Sequence, residues 1–274
     1  MKVNQINGIS LPIGSSIDAL AKKVGELLAI KQNQFSFKIL KKSIDARKKN
    51  DIREIYSVEV NVKRDVKYNR RVCSELDVQT FSVPKSSKNP RVAIIGAGPC
   101  GLFCALALCE SGITPTIFER GKKIEDREKD VLDFFVGGNI NEDSNVQFGE
   151  GGAGAFSDGK LNTGIKNIRI KYVLEKFVEH GAPDCILYES RPHIGTDKLK
   201  PTVKNIREKI IALGGKFVFG AKITDFDQKD GKIESIIYQK DGKTHSFDCD
   251  VAVFAIGHSA RDTFEMLNSK TILE

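Results

Sequence analysis

No stretch of the 274-residue sequence is long and apolar enough to span a bilayer. Residues Met1 to Ser10 mix Lys, Asn and Gln with single apolar residues, so they lack the continuous apolar stretch of a secretory signal. These two absences make a cytoplasmic protein the default expectation. The six cysteines are unpatterned. Cys100, Cys104 and Cys109 fall in one predicted helix while Cys73, Cys185 and Cys249 are scattered, so neither a metal spacing nor a disulfide framework emerges. Small buried thiols account for them. Internal repeats and low-complexity tracts are missing as well. What remains, 40% apolar and 29% charged residues, is the balance of a globular protein long enough for two domains.

The net charge of +7 is placed unevenly. Residues 1–90 hold 18 Lys and Arg against 9 Asp and Glu, whereas residues 91–274 hold 25 against 27. Such asymmetry raises a nucleic-acid contact through residues 1–84. The pair Lys41-Lys42 and the run Arg47-Lys48-Lys49 are explained equally by solvated turns, which is the reading favoured here.

The polar, proline-bracketed stretch Pro84-Lys85-Ser86-Ser87-Lys88-Asn89-Pro90 reads as a linker, so domains are expected at 1–84 and 91–274 with residues 85–90 between them. In the first, Ile17, Leu20, Val24, Leu27 and Leu28 recur at helical spacing behind a Ser15 or Ser16 cap. Strands are predicted at Phe35 to Leu40 and Glu54 to Val62, with Lys41 to Arg53 as a charged connection or short helix. The sum is a small α+β domain. After the linker come a strand at Val92 to Ile95, a helix through Leu102 to Leu108, and a strand at Thr116 to Phe118, forming a βαβ unit. Val203, Ile206, Ile210 and Leu213 mark a further helix, stopped by Gly214-Gly215. From Lys216 the signals are strand. Asp230-Gly231 and Asp241-Gly242 predict the two hairpins of a three-stranded meander, and Val251 to Ile256 reads as a fully buried strand.

Gly96-Ala97-Gly98-Pro99-Cys100-Gly101 has the GxGxxG form, directly after a predicted strand and opening a predicted helix. The first glycine serves the tight turn, the second admits a pyrophosphate to the backbone, and the third lets helix and strand pack closely. Pro99 suits the first helical turn, where its missing N–H costs little. The helix dipole, roughly half a positive charge, and the unpaired amides there attract a diphosphate. Glu119, 18 residues past Gly101, ends the next strand, where a carboxylate accepts from ribose hydroxyls and repels a 2′-phosphate. Arg120 beside it argues the other way, but the carboxylate makes FAD or NAD the better fit than NADP.

A second glycine-rich stretch, Asn145 to Leu161, interleaves Phe148, Phe156 and Leu161 with its glycines, so an ordered loop approaching a ligand is expected rather than a flexible linker. Gly257 and His258 follow the last strand, at the carboxyl edge where ligands of open α/β sheets collect. Ser259 and Asp262 have the form of a helix-capping pair.

Together the fingerprint at 96–101, Ile117-Phe118-Glu119-Arg120, Val146 to Gly154 with Phe156 to Leu161, Pro192-His193-Ile194-Gly195-Thr196 and Gly257 to Asp262 closely resemble the bacterial predicted FAD-dependent dehydrogenases, of the glutathione-reductase-like FAD superfamily. The resemblance runs from about residue 90 to the C-terminus. It implies an α/β fold: a Rossmann-type FAD-binding domain with a three-stranded β-meander and part of an inserted substrate domain, preceded by the small basic α+β domain. It also implies FAD held by Gly96, Ala97, Gly98, Pro99, Cys100, Gly101, Glu119 and Arg120. Ile223 would offer backbone to the adenine, and Gly257 would lie near the cofactor. Gln147, Gly151, Gly152 and Lys160 would approach the pyrophosphate or flavin, Lys160 countering charge on reduced flavin. Members of that group continue beyond Glu274, so the resemblance implies a truncated chain. The implied function is FAD-dependent hydride transfer to or from an unknown small molecule, with NAD(P)H as an electron donor. The competing readings are an NAD-dependent dehydrogenase and a flavoprotein acting on RNA. No acid or base is identified.

Overall fold

The computed structural model describes residues 2–157, 159–161 and 163–270. They form two compact units: Met1–Phe81 with Lys160–Val178 and Pro183–His193, and Ser82–Gly159 with Glu179–Ala182 and Ile194–Glu274.

The first unit contains β1 (Lys2–Pro12), α1 (Ile17–Leu28), β2 (Phe35–Asp45), β3 (Arg53–Val62) and β4 (Ser74–Asp77), the strands forming an antiparallel sheet in the order β2-β3-β1-β4. Ser16 caps α1, its Oγ accepting from the Ala19 N–H at 3.2 Å. Leu20, Val24 and Leu28 lie in one buried cluster with Ile6, Ile9, Leu11, Tyr56, Val58 and Val60 of the sheet. The strand β1 was not foreseen in the sequence, and one expectation is corrected. The connection predicted at Lys41 to Arg53 begins instead as a continuation of β2 to Asp45, where Lys42, Ser43 and Ile44 pair with Tyr56, Ile55 and Glu54. The Lys42 ammonium lies 2.8 Å from the buried Glu54 carboxylate, giving that basic residue a partner inside the sheet.

The second unit begins with β5 (Val92–Ile95), α2 (Pro99–Ser111), β6 (Thr116–Glu119) and α3 (Ile124–Phe135). The helix α4 (Arg169–Glu179) follows, most of it in the first unit. The chain continues through α5 (Thr196–Ala212), β7 (Lys216–Phe219), β8 (Lys222–Lys229), β9 (Lys232–Lys240), β10 (Lys243–Asp248), β11 (Val251–Phe254) and α6 (Arg261–Ser269). A parallel sheet runs β11-β5-β6-β7, and β8, β9 and β10 form a separate antiparallel sheet. All four residues of β5 and of β6 are buried, as expected of strands covered on both faces. Phe118 shows how one face is covered: its ring lies 5.1 Å from those of Tyr238 and Phe247 in the meander. On the other side Gly101 of α2 packs against Ile94, and α2 packs on α5. The last strand is shorter than predicted and is not fully buried. Among the described residues it stands at the sheet edge, paired only with β5, and Val251 is 41% exposed.

Candidate functional site

The carboxyl ends of β5, β6 and β11 open onto a cavity of about 800 Å³, a size suited to a cofactor. The glycine turn between β5 and α2 forms one wall. Gly96 has φ +103°, and a Cβ there would sit 2.4 Å from the Ala255 carbonyl oxygen. A Cβ at Gly101 would sit 1.9 Å from the Gly96 oxygen. Gly98 differs: a Cβ would meet nothing within 4 Å, and the residue lines the cavity. Two glycines are therefore demanded by backbone packing, while the third keeps open a cradle at the amino end of α2. Gly98 is the N-cap and Pro99 opens that helix, as the motif requires.

Glu119 lies across this turn. It is only 5% exposed, and its carboxylate accepts from the Ala97 N–H at 2.7 Å and the Gly121 N–H at 2.9 Å. Each oxygen has a further lone pair, so the carboxylate both sets the turn and lines the cavity with acceptor capacity to spare.

Arg120 also lines the cavity but is already engaged. It donates to Asp262 at 2.9 Å and to Thr263 Oγ1 at 3.0 Å, and its guanidinium carbon lies 4.5 Å from the Phe148 ring centroid. Lys222 approaches the same Asp262 carboxylate at 2.9 Å. Burial works against ionising Asp262, but the hydrogen bonds from Arg120 and Lys222 hold its carboxyl well below the usual range. The expected Ser259–Asp262 cap is thus corrected: Ala260 is the N-cap of α6, with no side-chain cap, and Asp262 serves Arg120 and the Thr263 N–H.

The glycine-rich loop supplies the facing wall through Gln147, Phe148, Gly149, Gly152 and Ala153. A Cβ on Gly152 would lie 3.0 Å from Pro99 Cδ and 3.5 Å from Gly98 Cα, so this loop reaches the fingerprint itself. Gly151 is buried behind the wall, its N–H donating to the Ala97 carbonyl at 2.9 Å. Ile223, Gly257 and His258 line the cavity with Cys100. Ala97 and Gly101 shape the turn without lining it. Lys160 belongs to the first unit, where it bridges His193, and is not among the lining residues. Asp158 of the same motif lies outside the described residues.

Three charged residues behind the loop were not singled out from the sequence. Arg127 and Glu150 are completely buried, and Arg207 nearly so. Glu150 Oε2 accepts from the Ile124 N–H at 2.8 Å and from Arg207, which also holds Glu125 at 2.7 Å; Glu150 Oε1 is buried without a partner among the described residues. Burial pushes the Glu150 carboxyl up to about 7 against the pull of those contacts. The Arg207 hydrogen bond draws Glu125 down to about 2.

The open cradle at Gly98, the amide end of α2 and the acid at the end of β6 fit a diphosphate-bridged dinucleotide. Comparison with known proteins agrees. A family model described as an FAD binding domain matches residues 89–129, which hold the whole fingerprint and Glu119. A domain of unknown function (DUF8436) matches residues 3–61. An uncharacterized protein of Clostridium beijerinckii is 42% identical over 276 residues, covering 98% of this chain and 51% of that protein. The chain thus spans about half the length of the curated relative it matches. Among solved structures, THI4 of Thermovibrio ammonificans aligns with a TM-score of 0.45 and 18% identity, over 68% of this chain and 64% of that one. The glycerol-3-phosphate dehydrogenase of Bacillus halodurans complexed with FAD aligns with a TM-score of 0.41 and 14% identity, over 66% and 37%. The cofactor matched to this site is FAD.

Proposed function

We propose that this chain is an FAD-dependent oxidoreductase that moves a hydride between a small-molecule substrate and the flavin, in the manner of the dehydrogenases its motifs resemble. Bound FAD supplies the redox chemistry. The protein's part is to bind and orient. Gly98 and the α2 amides receive the diphosphate, Glu119 accepts from the ribose, and Gln147 to Ala153 close the opposite wall. The cradle at Gly98 carries the reading, being open space on the cavity side of a turn whose other two glycines are packed against backbone.

Visible absorbance tests it directly. The protein is expected to purify yellow, or to bind added FAD with quenching of flavin fluorescence, and to bind NAD far more weakly. Preference for NAD without any flavin would replace this reading with an NAD-dependent dehydrogenase.

Cys100 gives a local check. It is an exposed thiol on the cavity wall, whereas Cys109 and Cys249 are buried. A brief maleimide treatment is expected to modify Cys100 ahead of those two, and FAD to slow its modification, as read by peptide mass spectrometry. Equal labelling with and without FAD would put the dinucleotide elsewhere.

A further inference from the structure

Arg127 sits in Lys122-Lys123-Ile124-Glu125-Asp126-Arg127-Glu128-Lys129-Asp130, a run that reads as a solvated helix face, yet the residue is 0% exposed. Its guanidinium donates to five carbonyl oxygens of one loop: Asn145 at 2.8 Å, Val146 at 2.9 Å, Gly149 at 3.2 Å, Glu150 at 2.6 Å and Gly152 at 2.9 Å. The Phe156 ring centroid lies 4.7 Å away. Burying a cation is costly unless its hydrogen bonds are met, and here charge-assisted bonds meet them. Packing is equally close: a Cβ on Gly149 would sit 2.4 Å from Arg127 Cδ.

A trans peptide unit is planar, so a carbonyl turned towards Arg127 sends the next residue's N–H the opposite way. The Glu150 N–H accordingly donates to the Lys122 carbonyl at 3.1 Å and the Gly151 N–H to the Ala97 carbonyl at 2.9 Å, the latter docking the loop on the fingerprint turn. The N–H that follows the Gly152 carbonyl belongs to Ala153, a cavity-lining residue.

We propose that Arg127 is a positioning residue for the cofactor: by gathering the carbonyls of residues 145–152 around one guanidinium, it holds Gln147, Phe148, Gly149, Gly152 and Ala153 as a wall of the dinucleotide cavity. It touches no cofactor itself and acts through the loop.

This role rests on the FAD reading, and the test separates the two. FAD affinity is measured by fluorescence quenching for the wild type, Arg127→Ala, Arg127→Lys and Gly149→Ala. The first two variants are also titrated with millimolar ethylguanidinium or, at equal ionic strength, ethylammonium. Arg127→Ala is expected to weaken FAD binding by about two orders of magnitude, because several buried carbonyls lose their donor together. Ethylguanidinium is expected to restore much of that loss and ethylammonium little. Arg127→Lys keeps the charge without the planar fork and should remain weak. Gly149→Ala, which keeps Arg127 but displaces the loop, should weaken binding comparably. Wild-type affinity in the folded variants overturns the role, as does a loss that ethylguanidinium leaves untouched. If Arg127→Ala does not fold, wild-type affinity in both Arg127→Lys and Gly149→Ala overturns it. A wild-type protein that binds no FAD overturns the FAD reading itself.

Discussion

Gly101→Ala is expected to abolish FAD binding and to destabilise the second unit, whereas Gly98→Ala should abolish binding and leave the fold nearly unchanged. At Gly101 the new Cβ would overlap the Gly96 carbonyl oxygen at 1.9 Å and approach Ile94 Cγ2 at 3.4 Å. Neither neighbour is the loose end of a long side chain. Helix propensity favours alanine over glycine by about 1 kcal/mol. Overpacking of this kind costs about 3 kcal/mol, so the steric penalty wins. At Gly98, by contrast, φ is −70° and the added methyl meets nothing. Its cost to folding is the difference between glycine and alanine at an N-cap, at most about 1 kcal/mol. The methyl instead occupies space where a diphosphate meets the α2 amides. Urea denaturation alongside FAD titration checks both halves. Unaltered FAD affinity in Gly98→Ala would show that the dinucleotide does not use this turn.

Arg207→Met should cost about 3–5 kcal/mol at pH 8, the range for removing one partner of a buried ion pair. The orphaned group is Glu150, left among the described residues with only the Ile124 N–H; Glu125, 38% exposed, loses the same partner but keeps water. The pH dependence distinguishes this cause from lost packing. Burial holds the Glu150 carboxyl at about 7 in the folded protein against 4.5 for an ordinary glutamate, so between those values the native state binds more protons than the unfolded one. Stability attributable to Glu150 therefore falls as pH rises through that window, by about 3 kcal/mol in all at 1.36 kcal/mol per pH unit. Glu125, held at about 2, has the opposite sign and loses its contribution only as pH falls below 4.5. The penalty of Arg207→Met should shrink from pH 8 to pH 5.5, and Glu150→Gln should both flatten the wild-type slope and rescue Arg207→Met. Equal penalties at the two pH values in urea titrations would assign the loss to packing.

The parts of the fold that could be read from the sequence are those whose cause is local. The α1 stripe is a single helical face. Asp230, Gly231, Asp241 and Gly242 all take positive φ, between 50° and 71°, as tight hairpins require. β1 was hidden because a register shift between Ile6 and Ile9 breaks its alternation. Its buried residues Val3, Ile6, Ile9 and Leu11 are spaced by three, three and two, which imitates no strand. A second shift between Ile39 and Lys41 likewise masked the far half of β2. The run Val251 to Ile256 looked enclosed because nothing in its apolar residues reveals that it stands at an edge. Of the cavity-lining residues, Gly96, Gly98, Glu119, Gln147, Gly152 and Gly257 could be named beforehand from the motifs they stand in, and Ile223 only from the family resemblance. Arg127, Glu150 and Arg207 could not. Their partners come from 18 to 82 residues away, and in the sequence they are ordinary charged residues.

The first unit is not made from the amino terminus alone. The Lys42 N–H donates to the Tyr188 carbonyl at 2.7 Å, and the Ser190 N–H returns to the Lys42 carbonyl at 3.0 Å. Cutting the chain at the proline-bracketed stretch would therefore not release two self-sufficient pieces. Residues 91–274 expressed alone would carry a strip of backbone torn from its neighbour, and the basic amino-terminal piece would lose a flank. The two halves are separable on paper and interwoven in the polypeptide.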